Sequence, residues 1–211
     1  MMKKYITLIL ICLMIAGCGE LTQLIDDIPR LRKIDYQFNQ GSLEAALKES
    51  IAYSMEYPKS YKSWCLLGWI NLKIDNLEDA GMCFAKSIEL NERWDNAYVG
   101  LGVIYRKQKD YQAARTAYLK AAQIVPRNAE AFSSLMVIEI IEKDYQKAVE
   151  YGERAWRFRK NLASIPANLA VAYHFLGNEE KKSFYYNQAK KLNYQGLDAV
   201  DKIFSGIVVI E

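Results

Sequence analysis

The sequence has almost none of the residues that commonly build metal or catalytic sites. His174 is the only histidine in 211 residues, and none of the four cysteines stands at zinc-site spacing from another ligand. No nucleophile beside a base, no carboxylate pair and no phosphate-binding loop is apparent. Gly100 and Gly102 lie in a predicted helix, without the strand and turn that a dinucleotide loop requires. We therefore expect no enzyme, no metal and no cofactor, and we interpret His174 as a surface or groove residue.

The sequence also lacks a strong net charge. It has 28 Lys and Arg against 25 Asp and Glu, and two of the basic residues, Lys3 and Lys4, belong to a leader that we expect to be removed. Such a balance provides no general field to attract nucleic acid or an anionic membrane. No basic stripe is apparent either, so nucleic acid is not an expected partner.

No apolar run is long enough to cross a bilayer as a helix, which takes roughly 20 residues. The run over residues 6–16 follows shortly after the charged residues Lys3 and Lys4. A charged start followed by a short apolar stretch is typical of a secretory signal peptide. We assign residues 1–17 to this signal peptide.

The leader ends in Ile-Ala-Gly-Cys at residues 15–18, which resembles the lipobox of bacterial lipoproteins. The resemblance implies cleavage between Gly17 and Cys18 and a lipid on Cys18, which would anchor the chain in a membrane of the bacterial cell envelope. Gly19 stands where lipoproteins kept at the inner membrane often have Asp, which favours the outer membrane facing the periplasm. Residues 18–26 are then a short tether. The alternatives are a secretory leader without lipid or an uncleaved anchor.

A period of 34 residues runs through the chain. One position of this repeat is held by Leu43, Leu77, Tyr111 and Tyr145. The position three residues later is always alanine: Ala46, Ala80, Ala114 and Ala148. A fixed period of this length indicates a repeat architecture. Alanine is small enough to lie where two helices of one repeat cross. Each copy therefore predicts a helix–turn–helix unit.

The copy from Asp95 to Asn128 has the fullest pattern. It carries Tyr98, Leu101, Gly102, Tyr105, Ala114, Tyr118, Ala121 and Pro126. These residues resemble the signature of the tetratricopeptide repeat family. The fourth copy departs from the pattern, with Met136 and Gly152 where the packing glycine and the aromatic residue are usual.

The resemblance implies an all-α fold, a right-handed superhelical solenoid of about five repeats plus a C-terminal cap helix. The array is expected over residues 27–196, without a linker or a second domain. Its repeats are expected at residues 27–60, 61–94, 95–128, 129–162 and 163–196. Residues 197–211 are expected to form the cap helix and an apolar tail.

Two local features have alternative interpretations. Cys65 and Cys83 fall on the two helices of one repeat, where they form either a disulfide or a pair of packed thiols. The end of the chain, residues 207–211, is more apolar than a cap needs. It either packs on the last repeat or forms an exposed patch that meets a partner or the membrane.

In the tetratricopeptide family the first helix of each repeat lines the ligand-binding side, so the resemblance implies a partner groove there. Its candidate residues are mostly apolar, with basic ones at the rim: Leu31, Cys65, Trp69, Val99, Val103, Arg106, Lys107, Val137 and Val171. The Lys and Asn with which some family members clamp a C-terminal carboxylate are absent. The groove suits an amphipathic helix or an extended apolar segment, with Trp69 as the main anchor. The alternative is that the same residues pack against neighbouring repeats.

Leader and repeats together favour a lipid-anchored scaffold that mediates protein–protein interaction at the cell envelope. In architecture the chain resembles the tetratricopeptide lipoproteins that assist pilus-secretin assembly or outer-membrane protein insertion. We therefore expect an assembly factor for a membrane or pilus/secretion complex. The alternative is an adaptor that tethers peptidoglycan enzymes. No small-molecule substrate is evident, and the repeats use so much of the chain that no catalytic domain is expected.

Overall fold

The computed structural model describes residues 19–207, with side chains from Pro29 onward. This part of the chain contains helices and no strand. The helices are α1 (Gly19–Asn39), α2 (Leu43–Glu56), α3 (Tyr61–Lys73), α4 (Leu77–Leu90), α5 (Asp95–Lys107), α6 (Tyr111–Ile124), α7 (Ala129–Ile141), α8 (Tyr145–Phe158), α9 (Ser164–Phe175), α10 (Glu179–Lys191) and α11 (Leu197–Phe204). The predicted all-α fold is confirmed. None of these helices is both long enough and apolar enough to cross a bilayer.

The helices pack as consecutive pairs, which is typical of a solenoid of helix–turn–helix repeats. The pairs are α1–α2, α3–α4, α5–α6, α7–α8 and α9–α10. Among the described residues the pairs cluster into two compact units, unit 1 (up to Asn91) and unit 2 (from Glu92). In a repeat protein each pair packs only on its neighbours, so the whole chain need not share one core.

The turn inside each pair has one residue in the left-handed conformation. These residues recur with the period of 34 and have φ values between 62° and 77°: Gly41, Asp75, Lys109, Lys143 and Gly177. A left-handed residue commonly ends a helix, because it turns the chain while the last carbonyls remain hydrogen-bonded. In four pairs the next residue is Asn or Asp, and its side chain accepts a hydrogen bond from the backbone of the second helix. The turn chemistry therefore repeats with the sequence.

Helix α1 starts earlier than predicted. It begins at Gly19, whereas the sequence predicts that the repeat array starts at residue 27, after a tether over residues 18–26. Pro29 consequently lies inside the helix and not in its first turn. An interior proline costs about 3 kcal/mol, but the residues before it include Glu, Gln and Leu, which favour helix. The helix therefore begins before the predicted array, while a tether role for residues 18–26 stays a prediction.

The in-phase alanines lie in the core, as the sequence predicts. Ala46, Ala80, Ala114 and Ala148 are fully buried in their helix pairs. In the α9–α10 pair Lys182 takes this position and remains partly exposed. Its ammonium nitrogen lies 5.1 Å from the centre of the Phe204 ring. A long side chain fits here because it runs outward from the crossing.

A second contact in each crossing combines a small residue with a large one. A Cβ added to Gly68 would lie 2.7 Å from the Phe84 ring, and one added to Gly102 would lie 2.5 Å from the Tyr118 ring. In the α7–α8 pair the order is reversed, because a Cβ on Gly152 would lie 2.5 Å from the sulfur of Met136. Met136 and Gly152 depart from the repeat pattern together, and they compensate each other in volume.

A buried ion pair connects α6 to α7 in unit 2. The Glu139 side chain is 3% exposed, and its Oε1 lies 3.0 Å from Arg115 Nε. The Arg115 guanidinium also binds Glu142 and donates to Gln112 Oε1 at 3.2 Å. These carboxylates raise the pKa of Arg115, mainly through the hydrogen bond to Glu139. A buried carboxylate needs such a partner, so the pair favours the observed packing of α7 on α6.

Helix α11 packs on the last pair at the position predicted for a cap helix. Val200 is buried, and the centre of the Phe204 ring lies 4.8 Å from that of His174 and 5.7 Å from that of Tyr186. The Tyr186 hydroxyl donates to Asp201 Oδ1 at 2.7 Å. Ile207 is exposed, while residues 208–211 of the apolar tail lie outside the described residues.

Candidate partner-binding face

The candidate groove residues fall in both units. Leu31, Cys65 and Trp69 belong to unit 1, and the other six belong to unit 2. Each unit presents the first helices of its own pairs: α1 and α3 in unit 1, and α5, α7 and α9 in unit 2. The candidates therefore form two separate sets, one in each unit.

In unit 1 the candidates mainly serve packing. Leu31 is partly buried against a core cluster that includes Ile34 and Ile70. Cys65 is buried, so it offers almost no surface to a partner. Trp69 is half-buried, and its ring meets the edge of Phe84 with 5.4 Å between ring centres. Much of Trp69 therefore stabilises the α3–α4 pair, although part of its surface remains accessible.

In unit 2 three helices form one face. Helix α7 contacts both α5 and α9, and one repeat position, held by Lys107, Ile141 and Phe175, is half-buried or exposed on all three helices. We define the first-helix face as Val103, Arg106, Lys107, Ser133, Val137, Ile141 and Phe175. Of the predicted groove residues, Val103, Arg106 and Val137 are half-buried and Lys107 is exposed. The structure thus brings four of the nine candidates together on an accessible face.

Two further candidates do not reach this face. Val99 and Val171 are buried, with 4% and 3% of their surface exposed. Their role is packing, which is the alternative that the sequence leaves for this set. The equivalent residues Ser133 and Val137 are half-buried, so coverage by neighbouring helices, and not the repeat position itself, removes Val99 and Val171 from water.

The sequence analysis misses three residues of the face. Ser133 and Ile141 lie on α7 on either side of Val137, and both are half-buried. Phe175 ends α9, is exposed and stacks on Tyr145 with 4.5 Å between ring centres. All three occupy repeat positions equivalent to those of other candidates. Extending those positions to every repeat would have found them.

The part of the chain that the structure describes contains two cysteines, both of them buried. No group of three or more potential metal ligands occurs among residues 19–207. Cys65 and Cys83 are both buried thiols, which is the second of the two interpretations of this pair. Burial, and secondarily the charge of Asp79, raises the pKa of Cys83 to about 11. Since only the thiolate is a good nucleophile, Cys83 is inert at neutral pH.

His174 is held between aromatic rings. The centre of its ring lies 5.2 Å from that of Phe175 and 4.8 Å from that of Phe204. Its buried Nδ1 has no hydrogen-bond partner among the described residues. The ring therefore serves as a packing residue between α9 and α11.

Three stretches of the chain, residues 61–93, 95–128 and 167–195, match family models of the tetratricopeptide repeat. The chain carries tetratricopeptide repeats. These matches include the copy from Asp95 to Asn128 that has the fullest signature. Tetratricopeptide repeats are protein-interaction modules, so the first-helix face of unit 2 lies on a scaffold of the kind that binds proteins.

Solved structures of other tetratricopeptide proteins have the same fold. The repeat protein TTC0263 of Thermus thermophilus superposes with a TM-score of 0.69 at 19% identity, covering 85% of this chain and 98% of its own. PilF of Pseudomonas aeruginosa gives 0.72 at 18% identity, covering 83% of each chain. YrrB, which has an unusual peptide-binding site, gives 0.57 at 16% identity over 83% and 91%. No curated protein sequence matches the chain.

Proposed function

We propose that the protein is a lipid-anchored tetratricopeptide scaffold that holds a protein partner at the bacterial cell envelope. The observation that carries the proposal is the first-helix face of unit 2. It combines accessible apolar side chains, Val103, Val137 and Ile141, with the basic Arg106 and Lys107 on adjacent helices. The structural likeness to YrrB, whose fold holds a peptide-binding site, supports a peptide segment as ligand.

The chemistry of the face defines the partner. Val103 and Val137 occupy equivalent positions on α5 and α7, so they form an apolar strip that excludes water from a bound segment. Arg106 and Lys107 lie one turn further along α5, where they would pair with carboxylates of that segment. The expected ligand is an amphipathic helix or an extended strand with apolar side chains and an acidic flank. An assembly factor for an envelope complex would bind such a segment of its client.

Site-specific crosslinking tests the face. A photoreactive phenylalanine analogue placed at position 137 should crosslink to a partner in living cells. The same analogue at Leu119, an exposed residue of α6 with 43% of its surface accessible, is the matched control. A crosslink at both positions, or at neither, would contradict a binding site on the first-helix face.

Substitution at the same position gives an independent test. We expect Val137→Asp to weaken partner recovery about tenfold, because it places a charge in an apolar contact. Leu119→Asp should leave recovery unchanged. Val137→Ala with an unaltered thermal transition distinguishes loss of contact from loss of folding.

The anchor is a separate part of the proposal. Its support is the lipobox-like stretch at residues 15–18, and Cys18 lies outside the described residues. We expect wild-type protein to fractionate with membranes and to incorporate labelled palmitate, and Cys18→Ser to lose both. Cys65→Ser serves as the control for an unrelated cysteine. Membrane retention of Cys18→Ser with unchanged mass would contradict lipidation but not the protein-binding face. Fractionation of inner and outer membranes tests the proposed outer-membrane location.

A further inference from the structure

One edge of unit 2 concentrates positive charge around two exposed apolar side chains. The loop after α6 contributes Val125 and Arg127, and the last turn of α8 with the loop after it contributes the remainder. We define the basic edge as Val125, Arg127, Arg154, Arg157, Phe158, Arg159 and Lys160, all of them exposed. The repeat pattern does not use these cations.

Contacts between side chains place five of these residues together, and Arg157 and Lys160 adjoin Phe158 and Arg159 in the chain. Val125, Arg127, Phe158 and Arg159 line one open cleft. One turn before Phe158 on α8, the Arg154 guanidinium carbon lies 3.9 Å from the centre of the Phe132 ring. The centre of that ring lies 6.4 Å from the centre of the Phe158 ring. The cations of two separate segments thus form one surface.

Most of this charge is not neutralised within the unit. Arg159 forms an ion pair with Glu130, and Arg154 is engaged with the Phe132 ring. Arg127, Arg157 and Lys160 make no ion pair in the part of the chain that the structure describes. Three solvated cations therefore project from the edge.

The cleft itself does not fit an acidic side chain. Asp95 and Glu130 line it, and Asp95 Oδ2 accepts a hydrogen bond from Asn128 Nδ2 at 2.7 Å. A carboxylate that entered the cleft would meet these like charges. A broad anionic surface would instead touch only the projecting cations and the apolar tips of Phe158 and Val125, which are 39% and 37% exposed.

From this arrangement we infer that the basic edge docks on the surface of a membrane containing anionic phospholipids. Arginine and lysine are attracted to the negative headgroups, and an aromatic ring beside them enters the boundary between headgroups and acyl chains. The contact goes beyond the proposed scaffold function. It would orient unit 2 on the bilayer and leave the first-helix face to a protein partner.

Vesicle binding by the full chain carrying Cys18→Ser, which cannot be acylated, tests this inference. The edge variant is Arg127→Gln/Arg157→Gln/Lys160→Gln, which removes the three projecting cations and no internal ion pair. The control variant, Lys143→Gln/Lys190→Gln/Lys191→Gln, removes the same charge from exposed positions elsewhere in unit 2. Sedimentation is measured with phosphatidylcholine vesicles, with and without phosphatidylglycerol, at low and high salt. The difference between the two vesicle types isolates the electrostatic contribution from any binding by the apolar leader.

We expect salt-sensitive preference for the anionic vesicles, reduced about 100-fold in the edge variant and only slightly in the control variant. Equal losses in the two variants would overturn the inference, because binding would then depend on net charge alone. Equal binding to neutral and anionic vesicles would overturn it as well. If the edge variant keeps its vesicle binding but loses a crosslinked acidic protein, the occupant is that protein and not the membrane. None of these results depends on lipidation of Cys18.

Discussion

Helix pairs α5–α6 and α7–α8 of unit 2 fill the same crossing in opposite ways. In α5–α6, Gly102 on the first helix makes room for the ring of Tyr118 on the second. In α7–α8, Met136 on the first helix extends toward Gly152 on the second, which also receives Leu169 of α9. Both crossings are filled, since Tyr118 and Met136 are completely buried.

The difference shows which physical quantity the repeat pattern keeps constant. A crossing needs a fixed total volume, and it matters less which helix contributes the large side chain. The first pair supports the same conclusion, because Ile34 on α1 and Ser50 on α2 occupy the equivalent positions and are both buried. A departure from the signature at one position is therefore informative only together with its partner.

Removing the large side chain should have the largest effect. Tyr118→Ala is expected to lower the free energy of unfolding by about 3–5 kcal/mol and Met136→Ala by about 2–5 kcal/mol, because each leaves a cavity in a packed crossing. Urea denaturation followed by circular dichroism measures both changes. Leu119→Ala, beside Tyr118 but exposed, is the control. A change below about 1 kcal/mol for either buried residue would mean that its crossing collapses and is not tightly filled.

Removing the ion pair between α6 and α7 should have the next largest effect. Arg115→Ala leaves the buried carboxylate of Glu139 without its partner, and we expect a loss of about 3 kcal/mol in unfolding free energy. Lys147→Ala removes an exposed ion pair with Asp144 and should have no measurable effect. Similar denaturation midpoints for the two variants would show that the Arg115–Glu139 pair does not hold α6 and α7 together.

Adding a methyl group to the glycine of each crossing should have a smaller effect, which differs between the two crossings. Gly102→Ala should cost about 1–3 kcal/mol, because the added Cβ meets the rigid, fully buried ring of Tyr118. Gly152→Ala should cost less, because the neighbouring atoms belong to the flexible side chains of Met136 and Leu169. The two losses of stability are ranked by the urea midpoints of the variants, provided that the unfolding free energy depends on urea concentration equally in both. The reverse order would contradict the explanation from side-chain flexibility.

The turns of the two pairs should show the smallest effect. Lys109 and Lys143 both have left-handed φ values, of 62° and 64°. Glycine adopts this conformation without strain, so Lys109→Gly and Lys143→Gly should each raise the unfolding free energy by up to about 1 kcal/mol. Gly177→Ala, at the equivalent turn, should lower it. Thermal unfolding of the three variants measures the sign, and a destabilising Lys→Gly change would show that the lysine side chains contribute more than the turn strain.

Much of the fold follows from the sequence pattern. The 34-residue period predicts the helix pairs, and its alanine phase correctly identifies Ala46, Ala80, Ala114 and Ala148 as core residues. These predictions succeed because helix pairing within a repeat depends on residues close together in the chain. The start of α1 is not predicted correctly, because the helix begins at Gly19, upstream of residue 27, and continues through Pro29.

The candidate site could be predicted only in part. Val103 and Val137 are accessible, whereas Cys65, Val99 and Val171 have the same apolar character and are buried. The spacing identifies equivalent repeat positions on the first helices. It does not say how far the neighbouring helices cover the side chains at those positions.

The sequence by itself determines the repeat, the helix–turn–helix unit and the residues that fill each crossing. It also contains the lipobox-like stretch on which the proposed anchor depends. Only the tertiary structure decides which apolar residues remain accessible, and only it brings Arg127 in one loop together with Arg159 after α8 in the basic edge. The reason is physical: helix formation and pairing depend on nearby residues, while exposure and surface charge depend on which distant segments the packing brings together.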